Sequence, residues 1–502
     1  MSLKRTIARH TLMLSSSTYL YMMLAAVTNF IVAKILGPTS YGIISGIQVI
    51  VIFSTLSNFG FMQAAGIRIP ALRVKNRNED IQKVLRITFV MVVVPASIIA
   101  LIVMGIAFYR KGNIPAPRFW AMMTLAVMIV LYQVQQMVIN THIRGWNRFD
   151  IQSKTLAITA IIINPLMIIM VVIFGIYGNF GAQVIHLVIF LFIISRFIPL
   201  KFGSGWSWDL WKDMFSIGLP LMLTAFLVTS TGNIDRFIIL NVLAGEAAYT
   251  ALGIYTIGVR VMQFLHGVNM VVYSVMLPRF QERYAESNHD KQSLCELVEG
   301  PSLILTTVMS LGAAFSIIGC QYLVYNWMDE YVEGILAMKL LGWTSALFAS
   351  SILISMVLIT IDRNWLRFTI SLISLIIISG GNYLALKLDY GISGVAVATL
   401  FGRFVDSLLY VFIVGKMLWP LKKTFSFYLR LNIPIASLML ILFLSDRWLV
   451  YGKGFISDIP DLLLQCSLVL AGGILCIFLL RNQTESWNEG IRIIKAVRKK
   501  LF

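Results

Sequence analysis

Apolar residues in this chain come in long continuous runs broken by short polar punctuation. The runs predict helical spans near 12–35, 41–66, 84–109, 119–141, 155–177, 181–199 and 215–243. Seven more follow near 249–275, 301–325, 335–360, 368–387, 391–415, 429–446 and 461–480. Each run approaches or exceeds the roughly 20 residues that carry an α-helix across about 30 Å of hydrocarbon. Because the runs do not alternate every second residue, a transmembrane β-barrel is excluded. The predicted fold is an all-α polytopic membrane protein of 14 transmembrane helices.

Composition agrees: 58% of residues are hydrophobic, 13% are charged and the mean hydropathy is +0.82, against about 25% charged in soluble proteins. The formal charge of +18 raises the question of nucleic acid, which its distribution answers. With span ends included, 30 of the 41 lysines and arginines fall on the side of the two termini, 6 on the other side and 5 within spans. That asymmetry places both termini in the cytoplasm, and an even number of spans requires them to share a side. The partners implied are anionic phospholipids, not nucleic acid. Ten of the eleven tryptophans lie in loops or near span ends, as interfacial anchoring predicts, Trp343 being the exception. The basic start MSLKRTIARH precedes an apolar run too long for a signal peptide and without a clear cleavage site, so it reads as a retained first span. Cys295, Cys320, Cys466 and Cys476 form no CxxC and no metal cluster.

The first twelve spans divide into two sets with matching punctuation. YGNFGA at Tyr177 corresponds to YGISGV at Tyr390, RGWNRF at Arg144 to RNWLRF at Arg363, and RIPAL around Pro70 to MLPRF around Pro278. The offsets are 213, 219 and 208 residues, in the same chain order. Six spans per set make the repeats parallel, an arrangement in which transporters bind substrate between their halves. The predicted organisation is a six-helix bundle at 1–204, a second at 205–420, helices 13 and 14 at 421–480, and a basic tail at 481–502. The tail's IRIIKAVRKKLF predicts an amphipathic helix lying on anionic lipid.

LGPTSYG after the first span, SNFGFMQAA ending the second, DRFIIL in the seventh, LGIY in the eighth and the YGxxG before spans six and twelve resemble the oligosaccharide flippases of the Wzx-like polysaccharide transporter family. The resemblance covers roughly residues 10–480. That family shares a superfamily with MATE exporters and the lipid II flippase MurJ. The resemblance implies a V-shaped bundle of two six-helix repeats plus two C-terminal helices. It implies transfer of undecaprenyl-diphosphate-linked oligosaccharide to the outer face of a bacterial inner membrane, for O-antigen, capsule or exopolysaccharide synthesis. The partners implied are that lipid-linked oligosaccharide and, further off, a polysaccharide polymerase and a chain-length regulator. Lipid II flipping and MATE-like drug or cation antiport are the alternatives. The connection LAGEAAYTALG between spans seven and eight is longer than the family pattern.

A diphosphate and sugars cannot cross hydrocarbon unaided, so a flippase needs cations, amides and hydroxyls at membrane depth. Arg260 and Arg403 fall near the midplane of spans eight and twelve, Arg236 about 10 Å into span seven, and Lys34 and Lys339 near span ends, where they can instead snorkel. Five intraspan cations against Asp235 and Asp406 leave a positive interior, which suits a diphosphate better than the cationic cargo of an antiporter. Arg403 and Asp406, three residues apart on one helical face, can equally form a structural ion pair. Asn29, Gln48, Asn58 and Gln263 are candidate sugar contacts, though such amides also glue helices together. Asp235, Asp406 and His266 are the titratable candidates for ion coupling. No DxD, P-loop or nucleophile–base set appears, so neither catalysis nor a cofactor is expected.

Overall fold

The computed structural model describes residues 3–483 except 113, 147, 450 and 453, and side chains within 16–480. Most of the predicted amphipathic tail, 484–502, lies outside the described residues, among which every regular element is helical. In order these are α1 Leu3–Phe53, α2 Phe61–Val74, α3 Asn78–Tyr109, α4 Ala116–Val138, α5 Phe149–Phe197, α6 Trp208–Ser230 and α7 Ile234–Val242. Then follow α8 Gly245–Glu286, α9 Cys295–Trp327, α10 Ile335–Thr360, α11 Asn364–Lys387, α12 Gly391–Leu418, α13 Leu421–Ser445 and α14 Ile459–Gln483.

Twelve described helical segments are long and apolar enough to cross a membrane. Two are double length: Ser16–Asn58 has 43 residues and Phe149–Phe197 has 49, about 65 and 75 Å if straight. Neither is straight. Gly37, at φ 71° and ψ 169°, breaks α1, and the Tyr41 hydroxyl donates to Asn29 Oδ1 at 3.3 Å. Twelve residues of straight helix would hold those groups about 18 Å apart, so the chain doubles back at Gly37. Gly175, at φ 58° and ψ −136°, does the same in α5, where Gly178 packs against the Met170 carbonyl. With both helices divided, the twelve segments comprise fourteen separate lengths of helix.

Four predicted boundaries need correction. The turn between spans five and six is at Gly175, ahead of the YGNFGA motif assigned to it. The long connection predicted between spans seven and eight shrinks to residues 243–244, because α8 begins at Gly245 (φ 68°) and the Ala-rich stretch that follows is helical. Span two is broken: Phe59 and Gly60 take positive φ of 47° and 84°, and Asn58 Oδ1 accepts the Gly60 amide at 2.9 Å. Span seven is two helices, parted at Thr231–Asn233. There the Thr231 hydroxyl donates to the Val228 carbonyl at 2.8 Å and the Asn233 amide to the Thr229 carbonyl at 2.6 Å. These polar side chains satisfy carbonyls that a helix end leaves open, so the chain can stop and restart within an apolar run.

The chain packs as two compact units. The first takes Met1–Leu240 with Gly245–Gly253, the second Asn241–Ala244 with Ile254–Phe502. In the first, the stretches of α1 and α5 after their turns pack with α4 around Ile43, Ile47, Leu125, Ile129 and Phe180. A second core, with Phe61, Ile69, Val84 and Met214, joins α2 and α3 to α6. Gly60 and Gly218 meet there backbone to backbone, Arg68 pairs with Asp213, and the Trp211 ring stacks on Phe215 at 5.3 Å.

In the second unit α10 is central, packed on α9 and α12 and mostly buried, with Lys339 and several hydroxyls set among its apolar residues. α13 and α14 dock on α9 through charge as well as oil. Glu299 accepts from Lys423 at 3.1 Å and Arg430 at 3.3 Å. Asp446 accepts from Lys339 at 2.7 Å and from Gln465 at 3.1 Å. Lys339 therefore ties α10 to the residue that follows α13.

Candidate functional site

The polar residues predicted at membrane depth fall into one set in each unit. In the first unit, Asn29 lies eight residues before the Gly37 turn, its amide donating to the Ala25 carbonyl at 2.6 Å and its carbonyl receiving Tyr41. Lys34 and Gln48 are half-buried on either side of the same turn. Asn58 is consumed by the break in span two, its amide donating to the Thr55 carbonyl and its carbonyl capping Gly60. Arg236 is 1% exposed and donates to Asn233 Oδ1; Asp235 is 3% exposed and accepts the Arg236 backbone amide at 2.8 Å. Both charges thus sit in the first turn of α7, held by the break that precedes them.

The second unit gathers more of the predicted residues. Arg260 Nη1 donates to Gln263 Oε1 at 3.1 Å, one turn along α8. Another turn on, the His266 ring lies 4.2 Å from the Phe348 ring of α10. Arg403 of α12 places its guanidinium 5.9 Å from the same ring. One aromatic ring therefore carries an imidazole from α8 and a cation from α12. Asp406, one turn beyond Arg403, accepts from the Ser374 hydroxyl of α11 at 2.7 Å, and both are buried. The Ser371 and Tyr410 hydroxyls lie 3.4 Å apart beside this pair. Arg367, in the first turn of α11, adds a positive charge that acts on both Asp406 and Tyr410. Asn269 and Ser345, both buried, zip α8 to α10 through bonds to the Ser345 and Met262 carbonyls, each at 3.0 Å.

Phe348 and Arg367 were not among the predicted site residues. Phe348 is one apolar residue in an apolar run, and nothing local marks it. Arg367 had a signal, because it is the second arginine of the RNWLRF repeat motif, but it reads there as a loop residue. Among the described residues no group of three or more histidines, cysteines or acids could hold a metal ion.

Comparison with known proteins fits this architecture. A family model described as polysaccharide biosynthesis protein matches residues 7–283. An uncharacterized membrane protein of Methanocaldococcus jannaschii is 24% identical over 415 residues, covering 77% of this chain and 92% of that one. Among solved structures, the lipid II flippase MurJ in an inward closed conformation aligns with a TM-score of 0.65 at 15% identity, over 93% of this chain and 99% of its own. An inward-facing multidrug resistance MATE family transporter of the MOP superfamily aligns at 0.57 and 15% identity, over 81% and 95%. A MOP superfamily transporter from Pyrococcus furiosus aligns at 0.51 and 14% identity, over 85% and 99%. At these identities the likeness establishes a shared multi-pass membrane fold.

Proposed function

Since the chain belongs to the polysaccharide biosynthesis protein family, we propose that it flips undecaprenyl-diphosphate-linked oligosaccharide repeat units across the cytoplasmic membrane. The family match is the observation that carries this reading. The units would pass from the cytoplasmic to the outer face, for O-antigen, capsule or exopolysaccharide assembly. The proposed route is alternating access by the two six-span repeats. The charge asymmetry of the sequence supports cytoplasmic termini.

Cations at membrane depth support a diphosphate cargo. Arg260, Arg403, Arg236 and Lys34 are the proposed phosphate contacts, and Asn29, Gln48 and Gln263 the proposed sugar contacts. Asn58 is the weakest of the sugar candidates, because its own turn uses both ends of its amide. Asp235, Asp406 and His266 are the proposed ion-coupling groups; a proton arriving at Asp235 would change the charge beside Arg236. Lipid II is the second reading, favoured by the MurJ fold match over nearly the whole chain. The two cargoes differ in glycan. The excess of intraspan cations speaks against an antiporter of cationic drugs.

Deletion of the gene in its host tests the proposal. Lipid-linked repeat units should accumulate on the cytoplasmic side, with rescue by wild type but not by Arg260→Ala at equal membrane level. Repeat units reaching the outer face without the protein would overturn it, and accumulation of lipid II instead would select the second reading.

A further inference from the structure

The first unit holds a recess of about 630 Å³ that the transport reading does not use. Its volume is within the roughly 300–1,000 Å³ of small-molecule sites. Trp120 and Thr124 line it from the first three turns of α4; Tyr177, Phe180, Gly181 and Ile185 line it from the stretch of α5 after the Gly175 turn. From that turn to Ile185 is ten residues, about 15 Å of helix. The recess is thus one leaflet deep, half of a hydrocarbon core about 30 Å thick. Its walls are apolar and aromatic apart from a threonine hydroxyl, a tyrosine hydroxyl and the Trp120 indole N–H.

The rim at the interface is unusual in charge. Only 6 basic residues fall on this side of the membrane, against 30 on the other, and Arg110, Lys111 and Arg118 are half of them. They flank the loop that leads into α4. Lys111 lies 5.7 Å over the Phe119 ring, and that ring packs edge-on against Trp120 of the recess at 5.6 Å. Arg118 lies 4.8 Å over the Tyr249 ring. Glu246, exposed in the first turn of α8, is the acid nearest Tyr249 along the chain. The rim stays net positive, and Lys111 joins it to the slot through Phe119 and Trp120.

We propose that this recess binds an anionic phospholipid of the leaflet facing the Gly37 and Gly175 turns. Its phosphate would sit among Arg110, Lys111 and Arg118, and one acyl chain would lie between Trp120 and Phe180. Charge complementarity selects this occupant, because a neutral lipid would gain nothing from three cations concentrated against the general bias of the sequence. The site is separate from the transported lipid's proposed contacts.

Native mass spectrometry of the purified full-length protein, incubated with equimolar phosphatidylglycerol and phosphatidylcholine, tests the assignment. Wild type should retain phosphatidylglycerol preferentially, by about fivefold for each cation engaged. The triple variant Arg110→Gln, Lys111→Gln, Arg118→Gln should bring the two lipids to parity. Gly181→Leu should exclude both, because a side chain there fills the slot and displaces only the flexible end of Met170. Val184, which also lines the recess, gives a second filling variant, Val184→Phe, should Gly181→Leu disturb folding. Equal retention of the two lipids by wild type would overturn the proposal. So would phosphatidylglycerol retention indifferent to the charge variant or to a well-folded filling variant. Displacement of phosphatidylglycerol by equimolar undecaprenyl phosphate would overturn it as well, assigning the recess to a polyprenyl lipid instead.

Discussion

Replacing Gly60 by alanine should be among the most damaging single-methyl changes in this protein. Gly60 has φ 84°, and a Cβ there would lie inside contact distance of the Gly218 carbonyl. Two costs combine: the left-handed conformation is worth about 1–2 kcal/mol against an L-residue, and overpacking at a close contact adds about 1–3 kcal/mol. The expected loss is therefore about 2–5 kcal/mol. Gly218→Ala meets the same contact from the other side without a positive φ, so it should lose about 1–3 kcal/mol. Gly105→Ala is the reference, because it sits inside α3, four residues from its end, with open space around its Cβ, and should gain about 0.5–1 kcal/mol. Unfolding of purified protein in mixed micelles with increasing dodecyl sulfate, followed by tryptophan fluorescence, ranks the three. Trp211 stands beside the contact and reports it directly. The order must be Gly60, then Gly218, then Gly105. A Gly60→Ala protein as stable as Gly105→Ala would refute the close packing of α2 on α6.

Three other substitutions probe the polar groups. Lys339→Met strands the half-buried Asp446 carboxylate on its amide partners Gln465 and Gln321 and should cost about 1–3 kcal/mol in the same assay; adding Asp446→Leu should recover most of it, and a double variant worse than the single would contradict the pairing. Asp235→Asn keeps an acceptor for the Arg236 amide but cannot titrate, so transport into proteoliposomes should persist and lose its response to an imposed pH gradient. An undiminished response would remove Asp235 from coupling. Arg403→Lys keeps the charge but gives up the planar guanidinium beside Phe348; transport should fall while stability changes by less than about 1.5 kcal/mol. Unchanged transport would make that ring contact structural only.

Hydropathy located the spans well because the cost of unsatisfied backbone in lipid permits few alternatives to long apolar helices. It could not locate where those helices break. A window average weighs Thr231, Gly232 and Asn233 as mildly polar residues in an oily run, although their side chains return hydrogen bonds to the Val228 and Thr229 carbonyls and end α6. The same blindness hid the break at Asn58–Gly60, where one amide caps the turn. At Gly37 and Gly175 the failure is of another kind. A single residue with positive φ reverses the chain, so no polar loop is needed and the visible YGNFGA motif lies just past the true turn. Side-chain type was enough to single out Arg260, His266, Arg403 and Asp406 as candidates. It was silent on Phe348, whose importance arises only from what α8 and α12 bring to it.

The adjacent charges Asp235 and Arg236 show what a broken helix changes. In an unbroken span both would need partners on other helices, since neighbouring residues point about 100° apart. Instead they open a new helix. There the exposed amides and the positive end of the backbone dipole favour a carboxylate, and Asp235 takes the Arg236 amide at 2.8 Å. Arg236 reaches back to Asn233, which also ties off α6 through the Thr229 carbonyl. Asn233 is thus shared between the two helix ends and the buried guanidinium. Asn233→Ala should therefore weaken the junction more than truncating an isolated helix-gluing amide, which is worth about 0.6–2 kcal/mol. Asn233→Asp retains the acceptor toward Arg236 but loses the donor toward Thr229, so it separates the two roles. If the aspartate variant unfolds like the alanine one in dodecyl sulfate, the carbonyl bond holds the break; if it behaves like wild type, the guanidinium bond does.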